Sequence, residues 1–235
     1  MDTSLSHFHA GRLAEAIAEL GTELRKQPAS VKLRTFLFEL LCFSGDFDRA
    51  EKQLDVLAEQ DEKAQMGAVL YQSLLRAHRQ REAVFTAGIE PADEQEYPIP
   101  VRINGKDYPG CEDEDLRIGS SMEVYVSGEY VEIPYPEIEQ VEIEAPATLR
   151  NLFWIPAKIA VKEGSSFAEI GSHVHLPALA PASWKHKDDA VKLGRLSVVE
   201  ENGSGLPVPY GAKLLLCGEE EIPLLQVREL AFIRG

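Results

Sequence analysis

The side chains best suited to chemistry in this 235-residue chain are His173 and His175, with His186 and Asp188 downstream. Two histidines two residues apart on a strand project from one face, so they could ligate a divalent metal and activate water. A metal-dependent hydrolase around His173, His175 and Asp188 is one function class these residues allow. The spacing matches no recognised ligand set and no cysteine stands beside it, so surface or core histidine is the plainer expectation. A second cluster, Glu112, Asp113, Glu114 and Asp115, lacks the alternating Asp/Asn pattern and closing Glu of a calcium loop. It is expected to be a solvated loop. Gly203, Ser204 and Gly205 are not followed by Lys-Ser or Lys-Thr, so no phosphate cradle is expected. No Gly-x-Ser-x-Gly elbow occurs, and no spacing ties Ser, His and Asp into a triad. No catalytic residue, metal ligand or cofactor is assigned.

Composition narrows the classes further. The hydrophobic fraction of 44% is enough for a sizeable core. No run approaches the 18 apolar residues that would suggest a membrane span, and the first residues carry no secretory signal pattern. Cys42, Cys111 and Cys217 are few, odd in number and far apart. That argues against a disulfide framework and fits a reducing, cytoplasmic setting. Cys42 and Cys217 lie in apolar runs and are expected to pack as small hydrophobes. The net charge is -15, which disfavours nucleic acid as a partner because phosphate binding needs a basic surface. Residues 91–144 hold 15 Asp/Glu against 3 Lys/Arg and so carry most of that surplus. They read as a linker and wet strand faces, or as a docking surface for a basic partner.

The elements that must position these residues fall into two kinds. Gly11, Leu13, Ala16 and Leu20 recur as Gly45, Phe47, Ala50 and Leu54, each offset by 34 residues. This is the tetratricopeptide period, in which helical hairpins stack to bury a face that none can bury alone. Pro28 falls where such a unit ends. Helices are expected over 2–9, 12–26, 30–43, 47–59 and 63–87, with Ser30 and Asp46 as N-caps. In the last helix Arg79 and Val84 replace the repeat's Gly and Ala, which predicts a terminal helix capping the stack.

Only one of the 14 prolines lies in the first 90 residues. An acidic, proline-containing linker is expected over 91–97, after which strands dominate. Met122, Val124 and Val126 alternate toward a turn at Ser127-Gly128, and Val131 and Ile133 resume the alternation, predicting a hairpin. Ile138, Val141 and Ile143 suggest an edge strand with glutamates on its wet face. Residues 157–161 should pair with 167–176, and Leu214 to Cys217 should turn at Gly218 into Ile222 to Val227. Residues 183–195 could add a helical turn. Trp154, in the apolar run Leu152 to Pro156, is expected to anchor a core or to line a pocket where the two parts meet. The predicted fold class is α+β: a tetratricopeptide-like α-hairpin stack over 1–90 and a β-rich, barrel-like domain over 98–235.

The chain resembles the ImpE/TagJ family of bacterial type VI secretion accessory proteins. The likeness rests on Gly11, Leu13, Ala16 and Ala18, then on Leu33, Arg34, Leu37, Leu40, Leu41, Gly45, Asp46, Ala50, Gln53 and Leu54. It continues through Trp154, Pro156 and Ala157, Leu176 to Leu179, Asp188 to Ala190, and Leu193-Gly194-Arg195. It closes on Glu221 to Leu225 and Arg228-Glu229-Leu230. The resemblance implies a non-enzymatic adaptor that binds a terminal helix of the small contractile-sheath subunit and influences sheath assembly or disassembly. It also links the family to the AAA+ ATPase that recycles the sheath. Nucleic acid and membrane are not implied as partners. Stacked hairpins suit such a role, because a groove between helices can hold an amphipathic helix by a few anchors. The aromatic residues least explained by hairpin packing, Phe8, Phe36, Phe38 and Tyr71, are the expected contacts. A generic tetratricopeptide-like chaperone is the other binding function the repeats allow.

Overall fold

Caps written into the sequence set where the helices begin. In the computed structural model, which describes residues 2–88, 99–201, 203 and 205–233, five helices come first. They are α1 (Asp2–His9), α2 (Leu13–Lys26), α3 (Val31–Phe43), α4 (Phe47–Ala58) and α5 (Glu62–Thr86). Ser30 Oγ accepts the Leu33 N–H at 3.4 Å, Asp46 accepts Arg49 N–H at 3.3 Å, and Asp61 accepts Ala64 N–H at 2.8 Å. Each satisfies a donor that the first helical turn leaves free. Each helix packs on the next, and Leu13, Ala16, Leu20, Ala50 and Leu54 from the 34-residue register are all buried. The expected linker over 91–97 lies outside the described residues.

The strands are β1 (Val101–Ile103), β2 (Lys106–Tyr108), β3 (Glu112–Asp113), β4 (Ser121–Val126), β5 (Glu129–Pro134), β6 (Ile138–Ile143), β7 (Trp154–Val161) and β8 (His173–Pro177). After a short helix, α6 (Asp189–Lys192), come β9 (Val198–Glu201), β10 (Pro207–Tyr210), β11 (Leu214–Cys217), β12 (Glu220–Pro223) and β13 (Glu229–Phe232). Eight of them form one sheet in the order β2-β1-β13-β6-β7-β8-β4-β5. Among the described residues this sheet is open at β2 and β5, which corrects the barrel-like expectation. β6 lies between β13 and β7 rather than at an edge; its outer glutamates, Glu139 and Glu142, are exposed as the alternation implies. The partner of β7 is shorter than the 167–176 run, because Ala168–Ile170 is a 3-10 turn.

Register explains which face meets what. Met122, Val124, Ile155, Ala157, Val174 and Leu176 face one core, shared with Leu215, Cys217, Leu224 and Val227 from the β12-β11-β3 sheet and its surroundings. The opposite face at the β5-β4-β8-β7 end presents Tyr125 and Trp154 to the helices. These two, with Phe153, Leu179 and Leu193, join a single cluster with Leu40, Leu41, Phe43 and Leu75. Both faces of the β4–β5 hairpin are therefore covered, which is why Glu123 is 0% exposed despite its place in a polar alternation.

Glu123 is held by a charge cluster that crosses the seam. Arg81 of α5 donates to it through two nitrogens at 2.6 and 2.8 Å. Lys213 bridges Glu123 and Asp113, and the Tyr130 hydroxyl donates to Glu123 at 2.9 Å. Burial alone would raise the Glu123 carboxyl; Arg81 and Lys213 outweigh it and hold it below the usual carboxylate range. Burial wins at Asp113, only partly offset by Lys213, and pushes it up to about 6. The solvated-loop expectation for Glu112 to Asp115 is thus corrected. Asp113 and Asp115 are buried, Asp115 pairs with Arg117, and its N–H is taken by Asp113. A small part of the acidic surplus of 91–144 is matched by cations from outside the segment: Arg81 and Lys213 on Glu123, Lys213 on Asp113, and Arg76 on Glu129.

The cysteine expectation is also corrected. Antiparallel pairing of β3 with β11 brings Cys111 and Cys217 to a Cα separation of 4.2 Å, and a disulfide joins them. Cys42 is free and buried, as its apolar helix predicts.

A strap over residues 180–195 ties the strand-rich part back along the helices. Glu82 of α5 accepts the Ala182 N–H at 3.1 Å and the Trp184 indole N–H at 2.8 Å. Asp189 accepts Leu13 N–H at 2.8 Å and Ala14 N–H at 3.3 Å, capping α2, whose own N-cap residue Arg12 offers no side-chain bond. Arg195 donates to the His9 carbonyl at 3.0 Å. Two of the repeat's glycines meet this strap. Gly45 has φ of 74°, and a Cβ there would overlap the Trp184 ring; Gly11 has φ of 73° and faces only Arg195 at 3.7 Å.

Candidate functional site

The helical stack leaves a groove of about 320 Å³ between α3 and α5. Val31, Thr35 and Phe38 line one wall at helical spacing. Ala64, Gly67, Ala68 and Tyr71 line the other, and Leu54 and Leu57 of α4 form the floor. Asp61 and Lys63 stand where α5 begins, and Arg150 stands by Tyr71. Val31 on this lining is 48% exposed; Met66 and Leu70 of α5, outside the lining, are 64% and 41% exposed. A second groove of about 310 Å³ adjoins it across Thr35, lined by Leu5, Lys32, Phe36 and Glu39.

The strand-rich part helps build the first groove. A 3-10 turn, Leu149–Leu152, packs Leu149 and Leu152 against the helical core. It sets the Arg150 guanidinium 4.9 Å from the Tyr71 ring centre and 3.1 Å from Glu39. Burial pushes the Glu39 carboxyl up to about 7, with Arg150 pulling it back only in part. Beneath, Phe38 stacks on Trp154 at 6.3 Å and tilts against Tyr71 at 5.7 Å. The Trp154 expectation resolves here: it is an anchor of the shared core, directly below the groove.

The four expected contact residues fall into two pairs. Phe38 and Tyr71 line the first groove, Phe38 buried and Tyr71 part-exposed. Phe36 lines the second, and Phe8, outside both linings, packs edge-on against it at 5.7 Å under Arg195. Arg150, Gly67 and the exposed Met66 are features the sequence reading missed; Val69 and Leu70, read with Leu74 and Leu75 as the apolar pattern of the last helix, are exposed while the other two are buried. Three apolar or small residues on the wet side of an α5 pattern were the available signal.

The histidine group is not assembled. His175 faces Tyr125 across β8 and β4, and His173 is exposed one turn of the pleat away. His186 instead pairs with Glu200 at 3.3 Å, and Asp188 caps α6 through the Ala190 N–H. Among the described residues no three His, Cys, Asp or Glu side chains are grouped so as to hold a metal ion. No helix among them is long and apolar enough to cross a membrane.

Known proteins share this arrangement. Residues 7–76 match the tetratricopeptide repeat, and residues 105–231 match the ImpE protein family. The chain is 31% identical to the type VI secretion system accessory component TagJ of Pseudomonas aeruginosa, over 96% of this chain and 89% of that protein. This chain belongs to the ImpE family. Its fold also matches the crystal structure of protein VPA1032 from Vibrio parahaemolyticus. There the TM-score is 0.84 at 21% identity, covering 99% of this chain and 98% of the other. The ImpE match spans the strand-rich part and the repeat match spans the groove, so both halves described above have counterparts.

Proposed function

We propose that this ImpE-family chain is a cytoplasmic, non-enzymatic accessory component of type VI secretion. In this reading it captures a terminal helix of the small contractile-sheath subunit in the groove between α3 and α5. The likeness to the TagJ accessory component carries the assignment to secretion. The groove carries the mode of binding: its walls are helices, its floor is apolar, and Val31 on its lining stands open to a partner. Capture of a sheath subunit would let the chain influence assembly or disassembly, and would place it beside the AAA+ ATPase that recycles the sheath.

The test is co-purification of the full chain with the small sheath subunit, intact or lacking either terminal helix. A complex that survives with the intact subunit and is lost with one truncation is expected. No complex, or one indifferent to both truncations, would overturn the reading. Repeating it at high salt separates apolar capture, which persists, from capture by the acidic residues, which weakens.

A further inference from the structure

Gly67 lies in the interior of α5 on the wall of the groove. Glycine inside a helix is less favourable than alanine, and such a residue often makes room for a neighbour. Outside the helices, at positive φ, Gly45, Gly128, Gly194 and Gly211 also make room, since a Cβ at any of them would collide. Gly67 makes room for nothing among the described residues: a Cβ built there meets no atom within 4 Å. Among those residues the conformational cost has no return.

The surroundings define what would fill the space. The groove runs along α5 from Asp61 to Tyr71, roughly 15 Å at the helical rise. Its walls are α3 and α5; beyond their first turns, at Thr35, Phe38, Gly67, Ala68 and Tyr71, the backbone groups are spent inside the helices, so side chains face an occupant there. An extended peptide laid there would bury unpaired N–H and C=O groups, whereas a helix satisfies its own. The α5 wall is low at Ala64, Gly67 and Ala68, and the exposed Leu70 follows Gly67 at i+3, just outside the lining. How near two helix axes come depends on the side chains at their contact.

We propose that Gly67 is the crossing point for the partner helix: an amphipathic α-helix packs along the groove with a small residue over Gly67 and apolar residues on either side of it. This rests on the helix-capture reading above and adds the contact point and the small-residue requirement.

The experiment measures affinity of the full chain for a synthetic peptide of the sheath subunit's terminal helix, with melting temperature read in parallel. Gly67→Ala and Gly21→Ala both replace an interior helix glycine with space for a methyl group. Each should raise Tm by about 2–4 °C. Gly67→Ala should weaken the peptide several-fold and Gly67→Leu by more than about tenfold, while Gly21→Ala leaves affinity unchanged. A Gly67→Ala or folded Gly67→Leu chain that binds as wild type overturns the crossing point alone. A wild-type chain that captures neither peptide nor subunit overturns the helix-capture reading, and the crossing point with it.

Discussion

The two halves of α5 invert the usual rule in opposite directions. Its first half, to Tyr71, leaves Met66, Val69 and Leu70 exposed, while its second half buries His78, Arg81 and Glu82. Apolar groups in water and charged groups in a core both need a reason. The second half has its reason inside the chain, because Glu123, Tyr125 and Trp184 meet those three side chains. The first half has none among the described residues, and the docking surface proposed above rests on that contrast. One helix thus serves as a structural keel at one end and as an open wall at the other.

The largest effect should come from breaking the keel. Glu123→Ala would leave Arg81 and Lys213 buried without their shared carboxylate, and should cost about 3–5 kcal/mol in chemical denaturation. A loss below 1 kcal/mol would mean that the seam is hydrated and the inversion only apparent.

Acid should probe the same half. Burial holds His78 down to about 4, against 6.5 in the unfolded chain, with the pull of Glu82 only a partial offset. The unfolded chain therefore binds a proton that the fold refuses. The His78 contribution is complete above pH 6.5 and falls away as pH drops toward 4, by up to about 3 kcal/mol. Asp113 and Glu39 are raised and act in the opposite sense, favouring the fold as pH falls. The clean readout is therefore the difference between wild type and His78→Gln: the wild type should lose more stability across that window.

The strap offers a finer comparison between the repeat-related glycines. Gly45→Ala must displace Trp184 as well as strain a positive φ, and should cost about 2–3 kcal/mol. Gly11→Ala meets only the strain, about 1–2 kcal/mol. Equal losses would show that Trp184 yields freely.

The smallest effect on stability should come from the open wall. Met66→Ser and Leu70→Ser should each move stability by no more than about 0.5 kcal/mol, yet weaken capture of the sheath subunit. If stability falls with binding, those side chains belong to the core after all.

Legibility in the sequence followed the distance over which a reason acts. Helix limits came within a residue or two, since Ser30, Asp46 and the 34-residue register act locally. The hairpin at Ser127-Gly128 was equally plain, because both residues take the positive φ that the turn requires. The buried state of Glu123 was not legible, because its explanation, Arg81, lies 42 residues away on a helix that reads as mostly polar. The same holds for Cys111 and Cys217, 106 residues apart. An acidic run looks wet until Lys213 is folded over it. Phe38 and Tyr71 line one groove, but Arg150 beside them was not legible, because it comes from the other part of the chain.

The cap on α2 has a consequence for the order in which the protein can be made. Leu13 and Ala14 leave the ribosome well ahead of Asp189, whose carboxylate takes their N–H groups. At ordinary elongation rates that is a wait of roughly 10–35 s. Until then the first hairpin stands with a frayed entrance, and it becomes a finished repeat only once the chain has been made through Asp189.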